Sequence, residues 1–243
     1  MTDNTSSFQK LPASTLGDRA SSAILQHIRT EKLQPGSPLP SEARLADMLG
    51  VSRPVIREAM RTLRGLGVLQ IFNGRGAVVG ELSPNTLEVF FSHALQTVDN
   101  SYISLMELRS GLECQAAALA AARHGPKDEA LLRDLIAEMA KAQDNPAAYS
   151  QLDADLHIAI ARASDNQLLL FMVQSIRSAM REASLRGMEL RIGERETAMV
   201  QTMHEDIVTA ILAGDSLGAA AAMKRHMDSA TEQFTSHKGM QAK

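Results

Sequence analysis

Four side chains in the second half of the chain have the types and spacing of a metal-binding set: Asp153, His157, His204 and His226. Asp153 and His157 lie four residues apart in LDADLHIAI and share one face of any helix that carries them. His204 stands ten residues before the turn signal Gly214-Asp215 and His226 stands eleven after Asp215. In an antiparallel helix hairpin, positions equidistant from the turn are level, and at about 1.5 Å per residue these two differ by about 2 Å in height. Apolar neighbours (Met203, Ile207, Met223, Met227) turn both toward a bundle interior. One carboxylate and three imidazoles suit a first-row transition ion, Zn²⁺ first, with Ni²⁺ or Mn²⁺ as alternatives, and leave positions open for water or a ligand carboxylate. Taken singly, each histidine reads as well as a buried ring bonded to backbone or as a surface ring, and His27, His93, His124 and His237 carry only that reading. Cys114 has no second cysteine or histidine near it and reads as a buried, apolar-like thiol.

A second set of residues lies near the front. Ser52, Arg53 and Arg57 open a short apolar-periodic segment, with Arg61 and Arg64 further along it, and Arg75 follows in Asn73-Gly74-Arg75-Gly76. Arginine's planar fork binds guanine edges or phosphate bidentately, so a row of arginines at a helix N-terminus suits duplex DNA. A solvated helix face is the plainer explanation of the arginines alone.

The elements that would position these sets follow from local signals. Apolar residues from Leu16 to Ile28 recur at helical spacing, and the prolines of LQPGSPLP end that helix. Ser41 is a candidate N-cap for a helix with Leu45, Met48 and Leu49 as its apolar face, closed by Gly50; Ser52 is a candidate N-cap for the next, with Pro54 in its first turn. Two short capped helices joined across Leu49-Gly50-Val51-Ser52 have the turn chemistry of a helix-turn-helix. Val68–Phe72 and Ala77–Val79 flank Asn-Gly, a hairpin signal. Beyond residue 86 the signals are helical throughout: 86–97, 102–123, 126–143, 147–163, 166–188, 194–213 and 215–235. The expected organisation is a flexible arm (1–12), a winged helix-turn-helix (13–81), a linker (82–86), a six- or seven-helix bundle (87–236) and a tail (237–243). The fold class is mainly α.

Composition bounds the function. The chain has 243 residues, 44% apolar and only 3% aromatic, with no tryptophan, which disfavours a large β-sandwich. No apolar run is long enough to span a membrane. The polar first ten residues lack a signal-peptide core, and one cysteine suits a reducing compartment, so a soluble, cytoplasmic protein is expected. Residues 1–82 hold ten Lys/Arg against seven Asp/Glu, whereas residues 83–243 hold fifteen against twenty-one. A basic front and an acidic rear suggest different partners.

LPSEARLADMLGVSRPVIREAMRTLRGLGVLQIFNGRGAVV (Leu39 to Val79) resembles the DNA-binding domain of GntR-family bacterial transcription regulators. The resemblance implies that Arg53 and Arg57 read bases and grip phosphate, and that Glu42, Asn73 and Gly74 touch the DNA backbone or support those contacts. Ala43 stands where the family often has arginine, and Arg44, one place on, is rotated by about 100° and is not given that contact. The rear half resembles the FCD effector domain of the FadR subfamily through MELRSGLECQAAALAA, Asp153-x-x-x-His157, Asp165-Asn166, His204 and His226. That resemblance implies that Asp153, His157, His204 and His226 hold a metal. It also places Arg109 near an effector pocket, with Asn166, Arg177 and Arg181 as further candidates. An intrahelical pair with Glu113 is an equal reading of Arg109. The implied function is a ligand-responsive regulator, a repressor that binds a palindromic operator as a homodimer and answers to a small organic acid. The rival is a metal-dependent hydrolase or lyase tethered to nucleic acid. Its general base is missing from the motif segments, because Glu205 beside His204 points about 100° away. No enzyme activity is therefore expected.

Overall fold

The computed structural model describes residues 15–72, 76–81, 83–190 and 194–241, and the chain divides into two compact units between Ser83 and Pro84.

The front unit begins with α1 (Leu16–Thr30), whose start is set by a reciprocal cap: Thr15 Oγ1 accepts from Asp18 N (3.1 Å) and Asp18 Oδ2 from Thr15 N (3.0 Å). α2 (Glu42–Leu49) is capped by Ser41, whose hydroxyl accepts from Arg44 N, and ends at Gly50. Gly50 has φ +63°, a left-handed conformation that a side chain disfavours, and it turns the chain into α3 (Arg53–Gly65). Both α1 and α2 pack on α3, burying Ala20, Ile24, Leu45, Ile56 and Leu63. Truncating Leu63, fully buried at this junction, costs about 2–5 kcal/mol. On α2 the buried stripe is Leu45 and Ala46, whereas Met48 and Leu49, expected inside, are exposed. Met48 stands about 160° around the helix from Ala46, at the edge of that stripe, and Leu49 lies in the last turn beside Gly50. Ser52 occupies the N-cap position of α3 through its backbone, but its hydroxyl makes no capping bond.

β1 (Leu69–Phe72) and β2 (Gly76–Val79) pair antiparallel, with Leu69 opposite Val79 and Phe72 opposite Gly76. The sequence does not show that residues 36–39, read only as a helix break, run along the other edge of β2. Leu39 N donates to Ala77 O and Val79 N to Ser37 O, while Pro38 faces Val78 at a position that needs no N–H. Gly80 closes the wing against the backbone, where an added Cβ would meet Gly67 O at 2.5 Å.

The second unit is all helical: α4 (Asn85–Thr97), α5 (Ser101–Arg123), α6 (Pro126–Lys141), α7 (Pro146–Ala163), α8 (Gln167–Ser175), α9 (Arg177–Leu190), α10 (Glu194–Leu212) and α11 (Ser216–Gln241). The stretch 166–188, expected as one helix, is two. The Ile176 N–H turns to Val173 O, and the Ser175 hydroxyl bonds back to Phe171 O, which interrupts the ladder. α11 packs along α5 through small residues (Ala116, Ala117, Ala120, Ala219, Ala222), which let the two backbones come close. α10 and α11 pair across Gly214, and α7 lies against α5, α6, α8 and α9, with eleven of its residues buried. The functional side chains project from these three neighbourhoods.

Candidate metal centre and nucleic-acid interface

α7 carries Asp153 and His157 one turn apart because Asn145 caps it (Ala148 N to Asn145 Oδ1, 3.1 Å) and Pro146 occupies its first position. The α10–α11 hairpin brings His204 and His226 level, with ring centroids 4.3 Å apart, as the distances from the turn require. The His157 ring lies 5.6 Å from that of His204 and 5.3 Å from that of His226. All four residues are buried, and each offers a ligand atom within 4.8 Å of the others. Asp153 Oδ1 is 3.0 Å from His204 Nε2 and 3.8 Å from His157 Nε2.

Burial would raise the Asp153 carboxyl. Its bond to His204, the nearby His157 and the Arg109 charge reverse that and hold it well below the usual carboxylate range, so it is an anion. Burial, followed by its two histidine neighbours, holds His226 well below the ordinary value of 6.5, so its ring is neutral. Its Nδ1 is buried without a hydrogen-bond partner. A buried polar atom left so costs about 1–3 kcal/mol, which is unexplained for a ring serving only to fill the core. An ionised Asp153 beside a neutral His226 ring is the protonation state a divalent ion needs of those two groups, and the four residues together fit one.

Two further side chains complete the cluster. The Tyr149 hydroxyl, four residues before Asp153 on the same face of α7, is 3.2 Å from His204 Nδ1 and donates to Gln201 Oε1 at 3.3 Å. Glu113 on α5, 1% exposed, accepts from Arg109 Nε at 2.6 Å and lies against His157 Nδ1 through its other oxygen. Burial opposes its ionisation, but Arg109 and His157 outweigh it and bring the carboxyl down to about 2. Neither Tyr149 nor the second reach of Glu113 figured in the sequence reading. Tyr149 was findable from its i, i+4 spacing to Asp153. The contact between α5 and α7 was not, since helix packing decides it.

Beside the cluster is a cleft of about 370 Å³, solvent at its mouth included, lined by Arg109, Asp153 and His226 with Met106, Val200 and Phe234. Arg109 pairs with Glu113 and also lines the cleft. Three other residues expected to bind an effector are placed elsewhere. Asn166 caps α8, its Oδ1 accepting from Leu169 N at 3.1 Å. Arg177 is exposed and paired with Asp155 at 2.8 Å, and Arg181 is exposed, because α9 turns Ala179, Met180, Ala183 and Gly187 inward instead. Glu205, on the outward face of α10, bonds Gln201 and does not reach the cluster.

In the front unit Ser52, Arg53, Arg57, Arg61 and Arg64 are all exposed on α3. Arg57 Nε donates to Glu42 Oε2 at 2.7 Å, so Glu42 orients the arginine from α2. Asn73, Gly74 and Arg75 lie outside the described residues.

Comparison with known proteins agrees with both halves. Residues 16–79 match the family described as bacterial regulatory proteins, gntR family, and residues 104–229 match the FCD domain. The HTH-type transcriptional regulator LutR of Bacillus subtilis is 29% identical over 202 residues, covering 82% of this chain and 92% of LutR. The Glc operon transcriptional activator of Escherichia coli K12 is 35% identical over 153 residues, 61% of this chain and 60% of that protein. A solved structure of Streptococcus agalactiae GntR, 24% identical, superposes with a TM-score of 0.66 over 89% of this chain and 99% of that one, and shares the fold.

Proposed function

Because the chain belongs to the GntR family of bacterial regulatory proteins and carries an FCD domain, we propose that it is a cytoplasmic repressor that binds a palindromic operator as a homodimer and lets go when a small carboxylate enters the helical unit. Residues 13–81 would be the DNA-binding part and 87–236 the effector-binding and dimerising part; the linker expected at 82–86 is shortened by α4, which begins at Asn85. Being a transcription regulator of this family, the chain offers no support for the hydrolase or lyase reading.

Asp153, His157, His204 and His226 would hold the ion, zinc first, with nickel or manganese as alternatives. When bound, a divalent ion supplies a Lewis-acidic centre for a carboxylate oxygen. Arg109 supplies a second, fixed positive charge on the cleft wall, and Met106, Val200 and Phe234 exclude water around the anion's apolar part. On α3, Arg53 and Arg57 would read bases or grip phosphate, and the uncapped Ser52 hydroxyl, with Asn73, Gly74 and Arg75 of the wing, would touch the backbone.

The observation that carries this reading is the buried carboxylate and three histidines sharing a cleft with a buried arginine. The effector acts only through unequal affinity for two arrangements of the protein. An operator gel shift titrated with short-chain carboxylates, on protein whose metal content has been measured, tests the reading. Weakened operator binding in the presence of one acid, lost in His157→Ala, is the expected result. Metal-loaded protein indifferent to every acid would overturn it.

A further inference from the structure

Glu113 is not one of the four ligands and is absent from the residues lining the cleft, yet it touches a member of each. Its Oε1 accepts from Arg109 Nε at 2.6 Å, and its Oε2 lies against His157 Nδ1. A buried carboxylate is retained at a cost of several kcal/mol unless its oxygens are engaged; here Oε1 accepts a hydrogen bond from Arg109, whereas Oε2 is in ion-pair contact with His157 Nδ1 without hydrogen-bond geometry. Of the three histidines, His157 alone has a carboxylate behind it among the described residues. His204 has the neutral Tyr149 hydroxyl at its outer nitrogen, and His226 Nδ1 has no hydrogen-bond partner. Arg109, for its part, keeps Nη2 buried and without a partner on a side chain that lines the cleft.

We propose that Glu113 is a positioning residue that couples the anion cleft to the metal ligands, holding Arg109 with one oxygen and the protonated Nδ1 of His157 with the other. The inference rests on the reading of the cluster given above. A carboxylate behind an imidazole fixes its proton on the rear nitrogen, frees the other for the metal and strengthens it as a donor. In the empty cleft Arg109 draws on the same carboxylate. An anion that engages Nη2 takes a share of the guanidinium's charge, so Glu113 accepts more strongly from His157 and the ion is held more tightly. Linkage then requires the ion to tighten the anion by the same factor. The geometry makes one amino acid responsible for a coupling that direct contact between anion and ion would otherwise carry alone.

The test uses full-length protein loaded with zinc, with acetate, glycolate and lactate as probes. In ¹⁵N-histidine spectra, His157 (identified by its loss in His157→Asn) is expected to carry its proton on Nδ1, and that proton is expected to move downfield when a bound probe is added. A proton on Nε2, or one unmoved by a bound probe, overturns the inference. Zinc affinity is measured by competition with a chromophoric chelator. It is expected to weaken about 10–100-fold in Glu113→Gln, and the probe-induced tightening seen in the native protein, about 5–150-fold, is expected to shrink. The same tightening in Glu113→Gln also overturns it. The spectroscopic measurement needs no change at Glu113, so it decides the matter if that variant fails to fold. Native protein that binds zinc and a probe without the Nδ1 signature defeats this inference alone; protein that binds neither defeats the functional reading beneath it as well.

Discussion

The arginines at 53, 57, 61 and 64 of α3 stand in solvent, and even the ion-paired Arg57 keeps 57% of its side chain exposed. In the helical unit Arg109, Glu113, Asp153, His157 and His204 have side chains no more than 6% exposed. The two regions use charge under different rules. Exposed cations are solvated and screened, cost nothing to keep, and act on a polyanion collectively and in a salt-dependent way. Buried groups are each committed to a partner, so any one of them matters to stability as well as to binding. One surface therefore tolerates change at a distance from its partner, and the other does not.

The comparison predicts where mutations should be felt. The largest effect is expected from His204→Ala, which should reduce metal content from about one ion per chain to a trace. An ion held at a hundred times its dissociation constant contributes about 2.7 kcal/mol, so melting should fall by roughly 5–10 °C. Elemental analysis that still finds stoichiometric metal removes His204 from the ligand set. Arg57→Ala should weaken operator binding by about 1–3 kcal/mol, roughly 5- to 150-fold, and reduce its salt dependence. Melting and metal content should stay as they were; a destabilised variant would mean the front face is not the tolerant surface described.

Acid should separate the regions next. His226 is kept neutral in the fold, whereas the unfolded chain protonates it near 6.5, so metal-free protein should lose stability as pH falls below that value, by up to about 1.4 kcal/mol per unit for this group. Glu113 is held down near 2 against an ordinary 4.5, so its stabilising contribution is whole above 4.5 and disappears as pH falls toward 2. Chelated protein whose melting temperature is flat from pH 7 to 5 would contradict the burial of a neutral ring. The smallest effect is expected from Glu42→Ala. An exposed ion pair is worth under about 1 kcal/mol, so stability should barely change while operator affinity drops a few-fold as Arg57 loses its orientation. Unchanged affinity would show that Glu42 has no part in the interface.

Much of the front unit was readable along the chain because its signals are local: Ser41 as a cap, Gly50 as a left-handed turn, Pro54 in a first turn, arginines on one face. The pairing of residues 36–39 with β2 was not, since prolines advertise a break and say nothing about what lies beside it. In the rear unit the convergence of Asp153 with His157 and of His204 with His226 was legible from the i, i+4 rule and the symmetry of a hairpin about Gly214. The misplacements have one cause. Asn166, Arg177 and Arg181 have suitable chemistry, but Asn166 was drawn into capping α8, and the rotation of α9 turned the two arginines outward.

The sequence by itself determined most of the helix order, the Ser41 cap of α2, the turn between α2 and α3, the cationic face of α3, and the identity of one aspartate and three histidines at spacings that could converge. Those depend on backbone periodicity and on contacts a few residues apart. Only the tertiary structure decided that α5 lies against α7, and so that Glu113 joins Arg109 to His157, that Tyr149 stands behind His204, and that α9 keeps its arginines in water. Packing between helices sets such contacts by fitting whole surfaces together, and no short stretch of chain contains that information.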